Sequence, residues 1–437
     1  MTEAIAKPNP MLHVFSIRDF LLLWVGGTIS MLGSQFSMIA MPWLMLQLTG
    51  DPLALGTMLA LQGIPRVVTM LIGGALSDRF SPRVILLACD WINFALVGLS
   101  AALVFSGTMQ VWMLYLLGMA TGLLSGFVIP AANSIIPLIV PEEDLQAGNS
   151  VNMGSVQLVG MLGPALAGIV IGAYAQSTRG IAIAFTLDAI SFAVSALALG
   201  AMRSGGRPQA VETAQNGPQE SIWASIRLGM QFLFSHEGLR FMFIISTAIN
   251  FLFTGPLLVG IPVLADQRLP EGAMAFGLLM SAYSGGNLAG YLLAGALPRP
   301  TGRILSALVI LLTASFGAAL AAFGWISLTW VDFSLMLLLG IGNGYIGLIM
   351  MTWIQQRTPK EMLGRMMSIL MMAATGLMPL SMFLSGLIIK SWDLTALFVL
   401  AGGLILLMTC WAAFQPALQR LSDEMVSVAG GEAGYGG

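Results

Sequence analysis

The sequence predicts an all-α membrane protein with twelve transmembrane helices arranged as two six-helix halves. Three observations predict it: the composition, the spacing of long apolar stretches and an internal repeat. Apolar residues make up 57% of the 437 residues and charged residues only 9%, and the mean hydropathy is +0.88. A soluble chain of this length needs far more polar surface. Most of the chain is therefore expected to lie in a lipid bilayer.

Twelve stretches are long and apolar enough to cross a membrane, since a helical span needs about 20 mainly apolar residues. They cover residues 19–47, 55–77, 84–106, 111–136, 147–175, 182–202, 239–265, 273–297, 303–324, 329–354, 364–389 and 395–415. The polar stretch before the first span is not typical of a secretory signal, so we expect that span to be retained.

The second half of the chain repeats short motifs of the first. Gly118 and Gly122, which follow two leucines, return as Gly340 and Gly344 in the same setting. The offset is about half the chain length, as expected for a duplicated bundle. Duplication of this kind is typical of secondary transporters, whose substrate site lies between the two repeats.

The same reasoning divides the chain into segments. Residues 1–202 are expected to form the N-terminal half and residues 239–415 the C-terminal half. Residues 203–238 are predicted to be a cytoplasmic linker, polar at first and then an amphipathic helix on the membrane surface. Binding of a partner by that helix is the alternative. Residues 416–437 are expected to be disordered.

The distribution of Lys and Arg predicts the orientation. Of the eighteen such residues, only Arg179, Arg268 and Lys390 fall on one side, and Arg66 falls within a span. The positive-inside rule then places both termini in the cytoplasm of a multi-pass protein of the plasma membrane, the inner membrane of a bacterium. A net charge of −2 offers no basic field, so nucleic acid is not an expected partner.

Features of an enzyme or a metal protein are absent from the sequence. Cys89 and Cys410 lie in separate apolar stretches without a metal-ligand spacing, so we expect no disulfide, no metal and no cofactor. His13 and His236 lie outside the spans and have no nucleophile nearby in sequence. A membrane-embedded enzyme is therefore disfavoured.

A glycine-rich and charged motif joins the second and third spans. It contains Gly74, Asp78, Arg79 and Arg83. Small residues let helix backbones approach closely, and Asp78 could accept hydrogen bonds from the N-terminus of a neighbouring helix. The arginines could pair with carboxylates. Anchoring at the lipid head groups is the alternative explanation for them.

At these residues the chain resembles the major facilitator superfamily, which has a gating motif between helices two and three. Residues 33–35, 41–43 and 356–361 resemble the branch that contains enterobactin exporters and macrolide efflux pumps. The resemblance implies a secondary transporter that works by alternating access. It also implies that helices one, four, seven and ten line the cavity. Mid-depth polar residues on those helices are candidates for substrate contact or for bonding a neighbouring helix: Gln35, Thr121, Asn250 and Asn343.

Helix five carries Gly163, Pro164 and Gly168. These residues resemble the antiporter motif that bends helix five in exporters of the family. Proline removes a backbone donor, and glycine allows a kink and close packing. An ordinary packing kink is the alternative. The resemblance thus implies export, although these residues alone do not establish direction.

Four charged residues are predicted to lie within the bilayer. Arg66 lies midway along the second span, where an arginine costs about 2.5–3.5 kcal/mol. Axial rise places Arg66 about 16 Å and Asp90 of the third span about 10 Å from the cytoplasmic face, a difference that a long arginine side chain could bridge. We therefore expect an Arg66–Asp90 pair or contact of Arg66 with a substrate anion, with snorkelling as the alternative. Asp188 and Asp332 are candidate proton carriers or, alternatively, interfacial residues.

The leading interpretation is a monomeric exporter that couples to protons and carries a bulky amphipathic small molecule, either a siderophore or a drug. A lipid or lysolipid transporter on the same fold is the alternative, since the sequence does not show whether a cavity opens sideways to the bilayer.

Overall fold

The computed structural model describes residues 10–77, 80–174, 177–203, 222–235, 237–298, 300 and 302–415. Within these ranges all regular secondary structure is helical. The predicted tail, residues 416–437, lies outside the described residues, as does most of the polar part of the predicted linker.

The first half contains six long helices. They are α1 (Arg18–Thr49), α2 (Pro52–Ser77), α3 (Pro82–Phe105), α4 (Val111–Ile139), α5 (Leu145–Gly172) and α6 (Arg179–Ala201). One short helix, Pro10–His13, and two 3₁₀ segments, Val14–Ser16 and Glu142–Asp144, precede α1 and α5. Pro52 and Pro82 each begin a helix, where the missing N–H of proline costs no hydrogen bond.

The described part of the second half contains nine α-helices, because one helix precedes the spans and two of the six predicted spans are interrupted. They are α7 (Ile222–Ser235), α8 (Glu237–Gly255), α9 (Ile261–Arg268), α10 (Ala273–Ala296), α11 (Gly302–Ala322), α12 (Thr329–Arg357), α13 (Lys360–Gly376), α14 (Met378–Ser391) and α15 (Leu394–Ala413). A five-residue π-helix, Pro256–Gly260, joins α8 to α9. Leu377 separates α13 from α14. Both breaks lie beside prolines, which disrupt helical hydrogen bonding.

The helices agree with the predicted spans. Ten segments of the described chain are long and apolar enough to cross a membrane. The 24-residue α10 and the shorter apolar helix Ser306–Ala322 occupy the remaining two predicted stretches. The prediction of an all-α membrane bundle is therefore confirmed.

The described chain forms two compact units. Unit 1 contains the described residues up to 203 together with residues 270–281, the first part of α10. Within it, α2 packs along α4, and both α1 and α3 pack along α6. Helix α1 also packs against α5. A core of buried side chains that includes Phe20, Leu86 and Ile135 closes one end of this unit.

Unit 2 contains residues 222–269 and 282–415 of the described chain. Within it, α8 packs against α14 and α11 packs against α15. These pairs correspond to α1 with α5 and α3 with α6 in unit 1. The internal repeat of the sequence therefore reappears as a repeated pattern of helix packing inside each unit.

The predicted amphipathic helix exists as α7, but it is more than a surface helix. Leu233 is buried in a core with Leu239, Trp353 and Met366, and α7 packs against α13. Phe234 of the same helix is exposed. One face of α7 is thus part of unit 2. Such packing is expected, because a 14-residue helix gains most of its stability from tertiary contacts.

Candidate functional site

Glycines of α4 bring its backbone into contact with α2. A β-carbon at Gly122 would overlap the backbone of Gln62, and one at Gly126 would overlap the side chain of Thr69. The Thr69 hydroxyl also donates to the carbonyl of Leu123, 3.0 Å away. Small residues at such a contact are typical of close helix packing in membranes. The position and rotation of α2 are therefore held firmly by α4.

The repeated glycines make the same contact in unit 2. A β-carbon at Gly344 would overlap the backbone of Asn287 on α10. The repeat therefore encodes two equivalent helix contacts, α2 with α4 and α10 with α12. Gln62 of α2 and Asn287 of α10 occupy equivalent positions. One turn later on each helix, Arg66 is therefore equivalent to Tyr291. The two units therefore differ here, since unit 1 has a charged arginine where unit 2 has a neutral tyrosine.

Arg66 lies one turn along α2 from Gln62, which bonds to α4. Gln62 donates to the Thr121 hydroxyl at 3.3 Å, and Thr121 donates to the carbonyl of Leu117 at 2.9 Å. The Arg66 side chain is exposed. Among the described residues it has no ion pair and no hydrogen bond. Thr121, predicted to contact substrate, is thus at least partly occupied by α2 and by its own helix.

The predicted Arg66–Asp90 pair is not present among the described residues. Asp90 is 7% exposed and accepts a hydrogen bond from the hydroxyl of Ser195 on α6. The reason is packing: α2 lies along α4, whereas α3 lies along α6. Similar depth along two helices does not bring their side chains together when the helices face different neighbours.

Asp188 is enclosed between α1 and α6. It is 1% exposed, and its carboxylate accepts hydrogen bonds from Ser34 and Ser37 of α1. Ser191, one turn along α6, lies 3.5 Å from the same carboxylate. Asp188 is recognisable in the sequence as an acid within a span, and Ser191 lies at helical spacing from it. Ser34 and Ser37 are too distant in sequence to be assigned to it.

Asp332 is buried in unit 2, in the first turn of α12. It is 0% exposed, and neither carboxylate oxygen has a hydrogen-bond partner among the described residues. Arg268 is its charged neighbour. The guanidinium of Arg268 donates instead to the carbonyl of Gly324 at 2.7 Å and to the hydroxyl of Thr395 at 2.8 Å. These contacts join the ends of α9, α11 and α15.

The motif of helix five is a packing surface inside unit 1. The side chain of Gln35, predicted to contact substrate, lies where a β-carbon at Gly163 would be. The N–H of Ala165, which follows Pro164, donates to the hydroxyl of Ser281 on α10 at 2.8 Å. A β-carbon at Gly168 would come within 2.8 Å of the carbonyl oxygen of Ala273 on α10. The three motif residues therefore allow both a kink and two close contacts.

The π-helix after α8 is held by a serine that the sequence analysis missed. The hydroxyl of Ser381 on α14 accepts from the N–H of Gly255 at 2.9 Å and donates to the carbonyl of Phe251.

Asn250, one turn before the break, is exposed and donates to the carbonyl of Ser246 at 3.0 Å. Asn343 of α12 is half-buried without a partner in the described chain. Both asparagines have polar atoms available to a ligand.

Substitution of Ser381 by alanine is expected to destabilise unit 2. It leaves the buried N–H of Gly255 without an acceptor, which costs about 1–3 kcal/mol. Thermal unfolding of the purified protein in detergent measures this loss. Ser391→Ala, at the exposed end of the same helix, is the matched control, and equal melting temperatures for the two variants would contradict the assigned contact.

Arg83 of the predicted gating motif binds the end of α6. Its guanidinium donates to the carbonyls of Leu199 at 2.8 Å and Gly200 at 2.9 Å. Arg18 donates to the next carbonyl, that of Ala201, at 3.2 Å. The Leu199 carbonyl also accepts from the N–H of Met202 at 3.3 Å. Because the last carbonyls of a helix lack the usual partner one turn later, the two arginines help to cap α6. Of the other motif residues, Gly74 lies in α2, and residues 78 and 79 lie outside the described residues.

Substitution of Arg83 by methionine is expected to lower stability by about 1–3 kcal/mol, since hydrogen bonds to charged groups are the stronger ones. Arg83→Lys is expected to lose less stability than Arg83→Met but more than none, because lysine has no planar fork with which to reach two carbonyls. Melting temperatures of the three proteins test the order. An Arg83→Met protein as stable as the original would show that the cap contributes nothing.

Curated relatives resemble the chain over most of its length. The macrolide efflux protein A of Streptococcus pyogenes is 23% identical over 409 residues, which cover 92% of this chain and 96% of that protein. The enterobactin exporter EntS of Shigella flexneri is 25% identical over 328 residues, covering 75% of this chain and 74% of that protein. These relatives are bacterial transporters, and the chain is a multi-pass protein of the inner membrane.

Structure comparison supports the same assignment. The crystal structure of the nucleoside transporter NupG matches with a TM-score of 0.67 at 14% identity, covering 91% of this chain and 99% of that chain. At this identity the similarity concerns the fold alone. The sequence model described as Major Facilitator Superfamily matches residues 23–379. The chain is a membrane transporter rather than an enzyme, and it belongs to the Major Facilitator Superfamily.

Proposed function

We propose that this transporter exports a bulky amphipathic small molecule, siderophore-like or drug-like, by alternating access and in exchange for protons. The similarity to efflux proteins across more than 90% of the chain supports export. The glycines and Pro164 of α5 support the same direction, since they resemble the antiporter motif.

Arg66 carries the proposal for substrate contact. An arginine midway along a span costs about 2.5–3.5 kcal/mol, and this one has no partner in the described chain to offset that cost. A substrate with a carboxylate, phenolate or other oxygen-rich group would supply the partner. Gln62 offers a further polar group one turn away on the same helix face. We infer that the polar end of the substrate binds here.

Unit 2, considered by itself, also offers polar groups to a ligand. Asn250 and Asn343 each retain an amide oxygen or nitrogen that the described chain does not use. Asn250 lies just before the π-helix, and interrupted helices in transporters place polar groups near the substrate. The surrounding apolar residues would hold the apolar body of the substrate.

Transport into inverted membrane vesicles tests this proposal. Energised vesicles that contain the full-length protein are offered a macrolide, a siderophore or a lysolipid, with and without an uncoupler. We expect uptake of a macrolide or siderophore that the uncoupler abolishes. Uptake that resists the uncoupler would contradict proton exchange, and uptake of lysolipid alone would contradict the proposed substrate class.

A further inference from the structure

Two acidic side chains lie on the α6 interfaces of unit 1, and neither has a basic partner among the described residues. Asp188 is 1% exposed and Asp90 is 7% exposed. Burying an unpaired carboxylate in an apolar medium is costly. In a membrane segment such residues commonly take part in ion pathways or proton relays.

Both acids bind hydroxyl groups on one face of α6. Ser191 lies 3.5 Å from the Asp188 carboxylate, and Ser195 donates to Asp90. Positions 188, 191 and 195 have the spacing that places side chains on one side of a helix. At 1.5 Å per residue, Asp188 and Ser195 are about 10 Å apart along the axis.

Helix α1 contributes a stripe of small and hydroxyl-bearing residues to this face. A β-carbon at Gly33 would overlap the Ser191 hydroxyl, and one at Gly26 would lie 3.2 Å from the backbone of Ser195. Ser30 lies between these glycines at helical spacing and is half-buried. The serine hydroxyls near α6 can each donate and accept a hydrogen bond.

Other charged or titratable groups near this face lie mainly at its ends. Helix α6 packs against α1, α3 and α5. Arg18 and Arg83 bind the last carbonyls of α6, and Asp19 accepts from the N–H of Arg203. Arg179 begins α6 at the opposite end. Between them, Cys89 beside Asp90 is the other titratable group on these helices, and α5 carries no charged residue from Leu145 to Gly172.

We infer that α6 carries the path of the coupling proton. Water at the outer side gives a proton to the Asp188 carboxylate, and the serine hydroxyls and intervening water pass it to Asp90. Each hydroxyl accepts one proton and releases its own, and Asp90 then releases one proton to water on the cytoplasmic side. One proton thus enters and one leaves. This inference rests on the proposed proton exchange and names the residues that perform it.

Asp90 and Asp188 lie at depths that suit this path. Asp188 is about 14 Å along α6 from Arg179, and Asp90 is about 12 Å along α3 from Pro82, at 1.5 Å per residue. Each acid therefore lies within reach of a short chain of waters from its own side. The close α1–α6 contact at Gly33 lies beside Asp188 and Ser191.

Infrared difference spectroscopy of the full-length protein in lipid tests the inference without a substrate. The carbonyl stretching band of a protonated carboxyl is followed as the pH of the bath is changed. We expect Asp188→Asn and Asp90→Asn each to remove one titrating band, and Asp188→Glu to restore one. Asp90→Asn should also shift the titration midpoint of the Asp188 band, and Ser191→Ala with Ser195→Ala should abolish that shift.

Unit 2 supplies a matched control. Asp332→Asn removes another buried acid and is expected to leave both α6 bands and their mutual shift unchanged. Melting temperatures show whether each variant is folded, so a band lost through unfolding is recognised. Bands that do not respond to pH, or an Asp188 band unaffected by Asp90→Asn, would overturn the inference. A lack of uptake into vesicles would overturn the proposed export. The spectra would still test the proton path on their own, because they require no substrate.

Discussion

Gly122→Val is expected to prevent accumulation of folded protein, whereas Gly154→Val is expected to be tolerated. A β-carbon at Gly122 would overlap the backbone carbonyl of Gln62, while nothing lies within 4 Å of one at Gly154. Overpacking typically costs about 1–3 kcal/mol. The cost at Gly122 should reach or exceed the upper end, because a helix backbone cannot move aside as a side chain can.

The yield and melting temperature of purified protein measure this difference. Gly344→Val should behave like Gly122→Val, because Gly344 makes the equivalent contact with Asn287. If Gly122→Val gave as much stable protein as Gly154→Val, the close α2–α4 contact and the structural meaning of the repeat would both be wrong.

Arg66→Ala is expected to abolish export while leaving the protein folded. The side chain makes no contact with a partner in the described chain, so its removal breaks no structural bond. Losing one hydrogen bond from a charged group costs about 1.5–3 kcal/mol, which corresponds to roughly 10–150-fold weaker substrate binding. Stability should be unchanged or higher, because an arginine is unfavourable within a span.

Vesicle uptake and melting temperature separate the two effects of this substitution. Arg66→Lys keeps the charge without the planar fork and should retain partial transport. Arg179→Ala, which removes an exposed arginine at the start of α6, is the matched control and should transport normally. Unchanged uptake by Arg66→Ala would remove Arg66 from the substrate site.

The architecture was predictable because it depends on features that lie close together in sequence. A span requires a continuous apolar stretch, and the repeated glycines Gly118, Gly122, Gly340 and Gly344 indicated duplication directly. The breaks at Pro256–Gly260 and Leu377 were missed. Average hydropathy does not register them, since a short irregular segment remains apolar while it changes its hydrogen bonding.

The site was predicted less well because it depends on contacts between distant segments. Axial depth suggested that Arg66 meets Asp90, but depth does not tell which helices are neighbours. Asp188 could be identified as an acid within a span, whereas Ser34 and Ser37 could not be assigned to it. The distance between these residues along the chain carries no information about their contact until α1 is seen to pack against α6.

Arg83 illustrates a residue whose structural role differs from the simplest expectation. The sequence motif indicated pairing with a carboxylate, but the described partners are the carbonyls of Leu199 and Gly200. Carboxylates and these carbonyls both attract a cation, because the C-terminal end of a helix carries partial negative charge. The sequence could reveal the need for such a partner but not which group supplies it.

The proposed function requires that the protein move an amphipathic small molecule across the membrane. Counterflow measures this movement without a gradient and without knowledge of the coupling ion. Liposomes containing the full-length protein are loaded with an unlabelled macrolide or siderophore and diluted into the labelled compound. We predict a transient accumulation of label that Arg66→Ala abolishes. Labelled uptake no faster than in protein-free liposomes, for each compound tested, would contradict the claim.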